Sequence, residues 1–319
     1  KRTTLKAPWL SSRDPGVPAS LHYSKRTMCG EVEQMVKKYP SYIAYEFMGK
    51  TTTYAQMWDK IVACAKALKA MGIREGDKVT ICMPNTPQTL CMFYAVNMVG
   101  AIANMIHPLS AESEIAFYLR DSNSVAAITL DQFYPKFESV LKAVNLPNLI
   151  ITSVKDELKP LLKIGFALTS GRKIARVPNK AGVIKWKDFL RRGEHVEIYQ
   201  VKRKAEDPAV ILYSGGTTGV NKGILLSNLN FNALAAQVLA TNPFFKPGDT
   251  MLAVMPMFHG FGLGISIHCM MAGGGQCILV PRFTPQTYAK LIVKHKPNLI
   301  AGVPSLFEAL LRIDTMKDA

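Results

Sequence analysis

The chain has 319 residues, 48% of them apolar and 19% charged, a globular composition with enough apolar surface for a large core and for more than one domain. Lysine and arginine total 39 against 23 aspartate and glutamate, a net charge of +16. That balance excludes an acidic solvating protein and points to an anionic partner: nucleotide, nucleic acid or lipid headgroup.

The first twenty residues, with Pro8, Pro15 and Pro18, read as an arm lying over a surface, and no apolar leader follows Lys1-Arg2-Thr3-Thr4. A helix is expected near Glu31–Lys38. Thr53 then caps a longer one, with Tyr54, Met57, Trp58, Ile61, Val62, Ala65 and Leu68 at helical spacing, ending at Gly72. Val79–Met83 reads as a buried strand, and Asn85/Thr86 followed by Pro87 starts the next helix. Strands are expected near Ala101–Ile106, Val125–Leu130, Leu149–Thr152 and Val210–Tyr213, and helices near Ala111–Arg120 and Gln132–Ala143.

A second strand–helix series follows: Gly223–Leu226, Leu229–Leu239, Met251–Met255, a helix within Gly262–Met271, Cys277–Val280, Pro285–His295, Leu299–Gly302 and Ser305–Ile313. The thirty residues from Met251 to Val280 carry no Asp, Glu, Lys or Arg. Pro256, His259, His268 and six glycines punctuate them, so they read as strand, helix and strand in a core and not as a membrane span. The six cysteines form no C-x-x-C and no zinc spacing, and read as reduced, buried thiols of a cytoplasmic protein. The fold class expected is α/β: two similar lobes with parallel-rich sheets flanked by helices. Residues 1–208 make the first lobe with the arm and a basic bridging segment at 155–204, and residues 209–319 make an incomplete second lobe.

The most informative run is Val210-Ile211-Leu212-Tyr213-Ser214-Gly215-Gly216-Thr217-Thr218-Gly219-Val220-Asn221-Lys222-Gly223. Glycines bring backbone N–H groups close to a ligand, hydroxyls add donors and Lys222 adds a point charge, which together make a phosphate cradle. It is not a Walker A loop, because Lys222 lacks the preceding Gly and the following Ser or Thr. The plain structural alternative is a glycine-rich hairpin between two strands with its threonines exposed.

In its full context the run resembles the phosphate-binding motif of the adenylate-forming (AMP-binding) superfamily, in the fatty acyl-CoA synthetase branch. Gly215 stands where Ser is commonest and Asn221 where Pro is commonest, and loss of the proline loosens the loop. Met255-Pro256-Met257-Phe258-His259-Gly260-Phe261-Gly262 resembles the family's Pro-x-x-His motif. Ala301-Gly302-Val303-Pro304-Ser305 resembles a segment lining the same acyl pocket, and Val99-Gly100-Ala101 with His107-Pro108 resembles an earlier motif. The resemblance runs from about Thr53 to the C-terminus and implies the N-terminal portion of a synthetase, because the adenine, ribose and later Arg and Lys motifs do not occur.

The resemblance implies that a carboxylate attacks ATP to give acyl-adenylate and pyrophosphate, and that CoA then displaces AMP. Ser214, Gly215, Gly216, Thr217, Thr218, Gly219 and Lys222 would bind the ATP phosphates, with Lys222 and Thr218 catalytic. His259, Phe261, Gly302 and Val303 would line the acyl pocket. Mg2+ is implied as cofactor, with its ligand outside this chain, and ATP, CoA and a fatty acid as small-molecule partners. Two other readings stay open: an adenylating enzyme for an aryl or amino acid with a carrier-protein acceptor, and a nucleotide-binding module without catalysis.

Fourteen basic and five acidic residues lie between Lys155 and Lys204, so +9 of the excess sits there. Its few aromatic residues are widely spaced, which argues against nucleic acid. Leu158, Leu161, Leu162, Ile164, Phe166 and Leu168 interleave with Lys159 and Lys163. Residues 155–176 therefore read either as a peripheral contact with anionic lipid or as a solvated insertion whose apolar side packs on the lobe.

Overall fold

The computed structural model describes residues 8–215 and 221–316. Its strands are β1 (Ile43–Phe47), β2 (Lys50–Thr53), β3 (Lys78–Cys82), β4 (Ile102–Met105), β5 (Ser124–Leu130), β6 (Asn148–Thr152), β7 (Val183–Lys185), β8 (Pro208–Ser214), β9 (Lys222–Ser227), β10 (Thr250–Ala253) and β11 (Gln276–Leu279). The helices of the first half are α1 (Met28–Lys38), α2 (Tyr54–Ala70), α3 (Pro87–Met98), α4 (Glu112–Asp121), α5 (Tyr134–Val140), α6 (Pro160–Leu168) and α7 (Trp186–Arg192). Those of the second half are α8 (Asn228–Ala240), α9 (Met270–Gly273), α10 (Pro285–His295) and α11 (Pro304–Leu311).

The seven-stranded sheet runs β7-β6-β5-β3-β4-β8-β9 and the four-stranded sheet β10-β11-β1-β2. Pairing is parallel except at β8–β9 and β1–β2. Each sheet thus takes strands from both sides of position 208/209. β1 and β2 cross to the smaller sheet through a parallel pairing of β1 with β11, and β8 and β9 complete the larger sheet. The basic segment adds β7 to the far edge of the larger sheet.

Local chemistry accounts for the elements. A capping box starts α2: the Thr53 hydroxyl accepts from the Gln56 N–H at 3.2 Å, and the Gln56 side chain accepts from the Thr53 N–H at 3.0 Å. Thr86 caps α3 with Pro87 in its first turn. Every residue of α3 is buried, and a helix without a polar face is a central one. Across the centre, Asn97 donates to Asn228 Oδ1 at 2.7 Å and accepts from the Cys29 N–H at 3.0 Å, so buried amides satisfy one another.

Residues 251–280 fold as strand, helix and strand: β10, a π-helical segment at Gly262–Cys269 running into α9, and β11. No helix among the described residues is long and apolar enough to cross a membrane. All six cysteines are free and buried, and burial pushes the Cys82, Cys91 and Cys269 thiols up to about 12. At Leu299–Gly302, where a strand is expected, there is an isolated parallel bridge between Met251 and Leu299.

His268 sits fully buried between Tyr94 and Asn232, with Nδ1 3.1 Å from the Tyr94 hydroxyl and Nε2 2.8 Å from Asn232 Oδ1. Burial lowers its pKa from the ordinary 6.5 to about 3. The folded state then refuses a proton that the unfolded chain accepts. Its contribution to stability is full above about pH 6.5 and is lost as pH falls toward 3, about 2 kcal/mol of it by pH 5. Urea unfolding at pH 7.5 and pH 5.0 checks this: the His268→Gln variant loses less stability between the two pH values than the parent does.

Candidate functional site

The sequence motifs lie at the carboxyl ends of parallel strands, where open α/β sheets bind ligands. β8 and β9 form an antiparallel hairpin in which Ser214 lies opposite Lys222. The hairpin topology of the plain alternative is therefore present, and it sets the two ends of the glycine-rich run side by side. Ser214 is half-buried, and Gly215 and Lys222 are exposed. Gly216, Thr217, Thr218 and Gly219 lie outside the described residues.

Helix α4 clasps this hairpin. The Tyr213 hydroxyl donates to Asp121 Oδ2 at 3.0 Å, and its ring lies 4.2 Å from that of Tyr118. On the opposite strand end the Asn221 amide donates to the Tyr118 hydroxyl at 2.6 Å. Burial and the neighbouring Asp121 carboxylate push the Tyr213 hydroxyl pKa well up, which keeps it a donor. Asn221, expected to loosen the turn in place of proline, is tethered by its side chain. Gly223 lies across from Tyr213, and a Cβ there would stand 3.2 Å from the Tyr213 ring. At Gly215, by contrast, a Cβ would meet none of the described residues within 4 Å.

Asn85 fixes the second motif. From the loop after β3 its amide donates to the carbonyls of Ala253 and Met255, each at 2.9 Å, and its Oδ1 accepts from the Met257 N–H at 2.9 Å. These bonds hold residues 253–257 of the smaller sheet against the strand ends of the larger one. The chain then packs tightly back on itself. A Cβ at Gly262 would fall 2.2 Å from the Pro256 carbonyl oxygen and 2.4 Å from that of Met255. The same segment meets β8, since a Cβ on Gly260 would lie 3.3 Å from the Leu212 side chain, two residues before Ser214. The Phe258 ring stands 4.2 Å from that of His107, which follows β4.

His259 is exposed, with Nδ1 accepting from the Phe261 N–H at 3.2 Å, so it is not a buried core histidine. Phe261 is half-buried beside it. Gly302 is half-buried and Val303 exposed; both follow the Leu299 bridge beside β10, so they leave the same sheet end as residues 254–261. Sequence reading treats Asn85 only as a helix-start signal and passes over Tyr118. The signal for Asn85 is a polar residue directly after an apolar strand and ahead of a helix with no polar face.

Among the described residues no three His, Cys, Asp or Glu side chains come together as a metal site. No Mg2+ ligand is assigned among the described residues.

The family model described as AMP-binding enzyme matches residues 32–319. The long-chain-fatty-acid–CoA ligase of Bacillus subtilis (strain 168) is 31% identical over 307 residues, which are 95% of this chain and 55% of that protein. A ligase of the same name from Salmonella typhimurium is 28% identical, covering 96% of this chain and 56% of its own length. Among solved structures, a long-chain-fatty-acid-CoA ligase (FadD1) from Archaeoglobus fulgidus superposes with a TM-score of 0.77 at 23% identity, over 94% of this chain and 56% of that one. The anthranilate CoA ligase AuaEII in complex with anthranoyl-AMP gives 0.78 at 21%, over 92% and 52%. Both show the fold alone. The chain spans about half the length of the curated relatives it matches.

Two outcomes follow for stability, each read by urea unfolding. Asn85→Ala strands two carbonyls and an N–H in a buried joint and costs about 3 kcal/mol. Gly262→Ala drives a methyl into two backbone carbonyls and costs at least about 2 kcal/mol, whereas Gly215→Ser stays within about 0.5 kcal/mol of the parent.

Proposed function

The chain belongs to the AMP-binding enzyme family, and from that premise we propose that it supplies the N-terminal part of an ATP-dependent fatty acyl-CoA synthetase. The reaction proposed has two steps. A fatty carboxylate oxygen attacks the α-phosphorus of ATP, the bond to the β-phosphate bridging oxygen breaks, and acyl-adenylate and pyrophosphate result. The CoA thiol, losing its proton, then attacks the acyl carbon and expels AMP.

One observation carries this reading. The end of the β8–β9 hairpin and the 256–261 segment meet at one sheet end, through Gly260 against Leu212. A triphosphate held at the hairpin would then lie beside a carboxylate held near His259 and Phe261. Nucleotidyl transfer asks mainly for such positioning and for charge neutralisation. Lys222, exposed and opposite Ser214, suits the role of neutralising the β/γ-phosphates, with the Ser214 hydroxyl as a donor beside it. Thr217 and Thr218 are proposed to add hydroxyl donors to the same phosphates. Gly302 and Val303 are proposed as a wall of the acyl pocket. Mg2+ is proposed to accompany ATP, supplying further charge neutralisation. The names of the curated relatives favour a long-chain fatty acid over an aryl acid. Six free, buried thiols suit a cytoplasmic setting.

Fatty-acid-dependent ATP–pyrophosphate exchange tests the reading. A polypeptide extended to the length of the relatives exchanges label with palmitate and not with anthranilate or benzoate, and Lys222→Ala lowers kcat/KM for ATP by about a hundredfold. The 319-residue chain alone gives no exchange. Activity confined to aryl acids would sink the fatty-acid assignment, and an unchanged Lys222→Ala variant would sink the phosphate role.

A further inference from the structure

Helix α6 stands apart from the other helices in what it exposes. None of its nine residues is buried. Leu161, Ile164 and Leu168 follow one another at i, i+3 and i+7, a single helical stripe, and are 81%, 59% and 56% exposed. Only Phe166, on the other side of the helix, packs toward the core. The insertion reading, an apolar side packed on the lobe, holds for Leu158 and Phe166 and not for Leu161, Ile164 and Leu168. The root of the helix is nevertheless firm. Leu158 is buried, and Glu157, almost fully buried, accepts from Lys60 Nζ at 2.6 Å and lies 3.5 Å from Lys50 Nζ. An anchored helix with an outward leucine–isoleucine stripe needs something to cover the stripe.

The charges around it say what. Lys155 and Lys159 precede the stripe and Arg172 and Arg176 follow it; all four are exposed, and among the described residues none is in an ion pair. Lys163 lies behind the helix, lining a cavity of about 720 Å³ whose rim also includes Lys155 and Arg176 and the carboxylates of Asp131 and Asp156. Apolar residues in a stripe flanked by the exposed cations Lys159, Arg172 and Arg176 complement the acyl–headgroup boundary of an anionic bilayer. A protein partner would instead have to bring both an apolar groove and matched carboxylates.

We propose that α6 docks this protein on anionic lipid bilayers, with Leu161, Ile164 and Leu168 at the acyl boundary and Lys159, Arg172 and Arg176 against headgroup phosphates. The proposal stands independently of the ligase reading, since it concerns a different edge of the larger sheet and needs no nucleotide.

Sedimentation of the 319-residue chain with vesicles tests it. Vesicles of phosphatidylcholine and phosphatidylserine at about 7:3 bind the protein in 50 mM salt, pure phosphatidylcholine binds it about tenfold more weakly, and 500 mM salt releases it. The Leu161→Ser/Ile164→Ser/Leu168→Ser variant binds the anionic vesicles about tenfold more weakly at an unchanged thermal midpoint, because no buried contact is removed. Should that triple variant lower the midpoint, Leu161→Ser alone carries the test, with a smaller loss in the same direction. The Arg172→Glu/Arg176→Glu variant loses the salt-sensitive part. Equal binding to both vesicle types, or variants that bind like the parent, overturns the proposal. So does a 20-nucleotide single strand that binds more tightly than the anionic vesicles and is lost in Arg172→Glu/Arg176→Glu, which would mark the surface as a nucleic-acid site.

Discussion

The arrangement of the site rests on one buried amide. Asn85 reaches from the end of β3 in the larger sheet to three backbone groups of residues 253–257 in the smaller one. A carboxamide of that length has two donor hydrogens and an acceptor oxygen, and all three bonds are made here. Aspartate would lose both donors, and serine would fall short of one end. Because the bonds lie at the sheet ends and not in mid-strand, they fix the entry of the 256–261 segment toward β8 and His107. Without this joint each motif would still sit on its own sheet, with the Phe258–His107 and Gly260–Leu212 contacts left to hold the two in register.

The interleaved chain path makes that joint dependent on distant partners. β1 pairs with β11 across more than two hundred residues of sequence, and the Tyr54 hydroxyl at the start of α2 donates to the Gly275 carbonyl at 2.7 Å. Asn228 at the start of α8 accepts from the Met28 N–H at 3.0 Å. Such contacts pay loop-closure entropy before they return anything, so the smaller sheet is the non-local part of the fold. The β8–β9 hairpin is the opposite case. It is local, and α4 holds both of its arms through Tyr118 and Asp121.

Much of the fold is legible in the sequence where local chemistry and burial agree. The Thr53 and Thr86 caps, the apolar stripe of α2 and the parallel strands β3 to β6 carry their own signals. The β1–β2 hairpin does not. Its turn is Met48-Gly49 with both residues at positive φ, and a methionine there lacks the Asn-Gly or Asp-Gly signature of such a turn. Sheet membership is also invisible to a reading in chain order, because β8 joins β4 and β1 joins β11 by tertiary pairing alone. At the site, the phosphate run and the Pro-x-x-His segment stand out by composition. Asn85, Tyr118 and the exposure of His259 do not, since each is a matter of which surface a side chain meets after folding.

Charge separates two roles that composition alone merges. A net +16 invites the conclusion that the whole excess serves a nucleotide. Yet the basic segment contributes β7, and β7 is five strand steps from β8 in the larger sheet. At roughly 4.8 Å per step that is about 24 Å. Physiological salt screens exposed charges beyond about 8 Å, so the cations around α6 contribute little field at Ser214 and Lys222. Whatever neutralises a triphosphate at the hairpin must be close to it, as Lys222 is. The distal cations stand outside that role, on both flanks of a helix that exposes Leu161, Ile164 and Leu168, and it is this separation that the docking proposed for α6 uses.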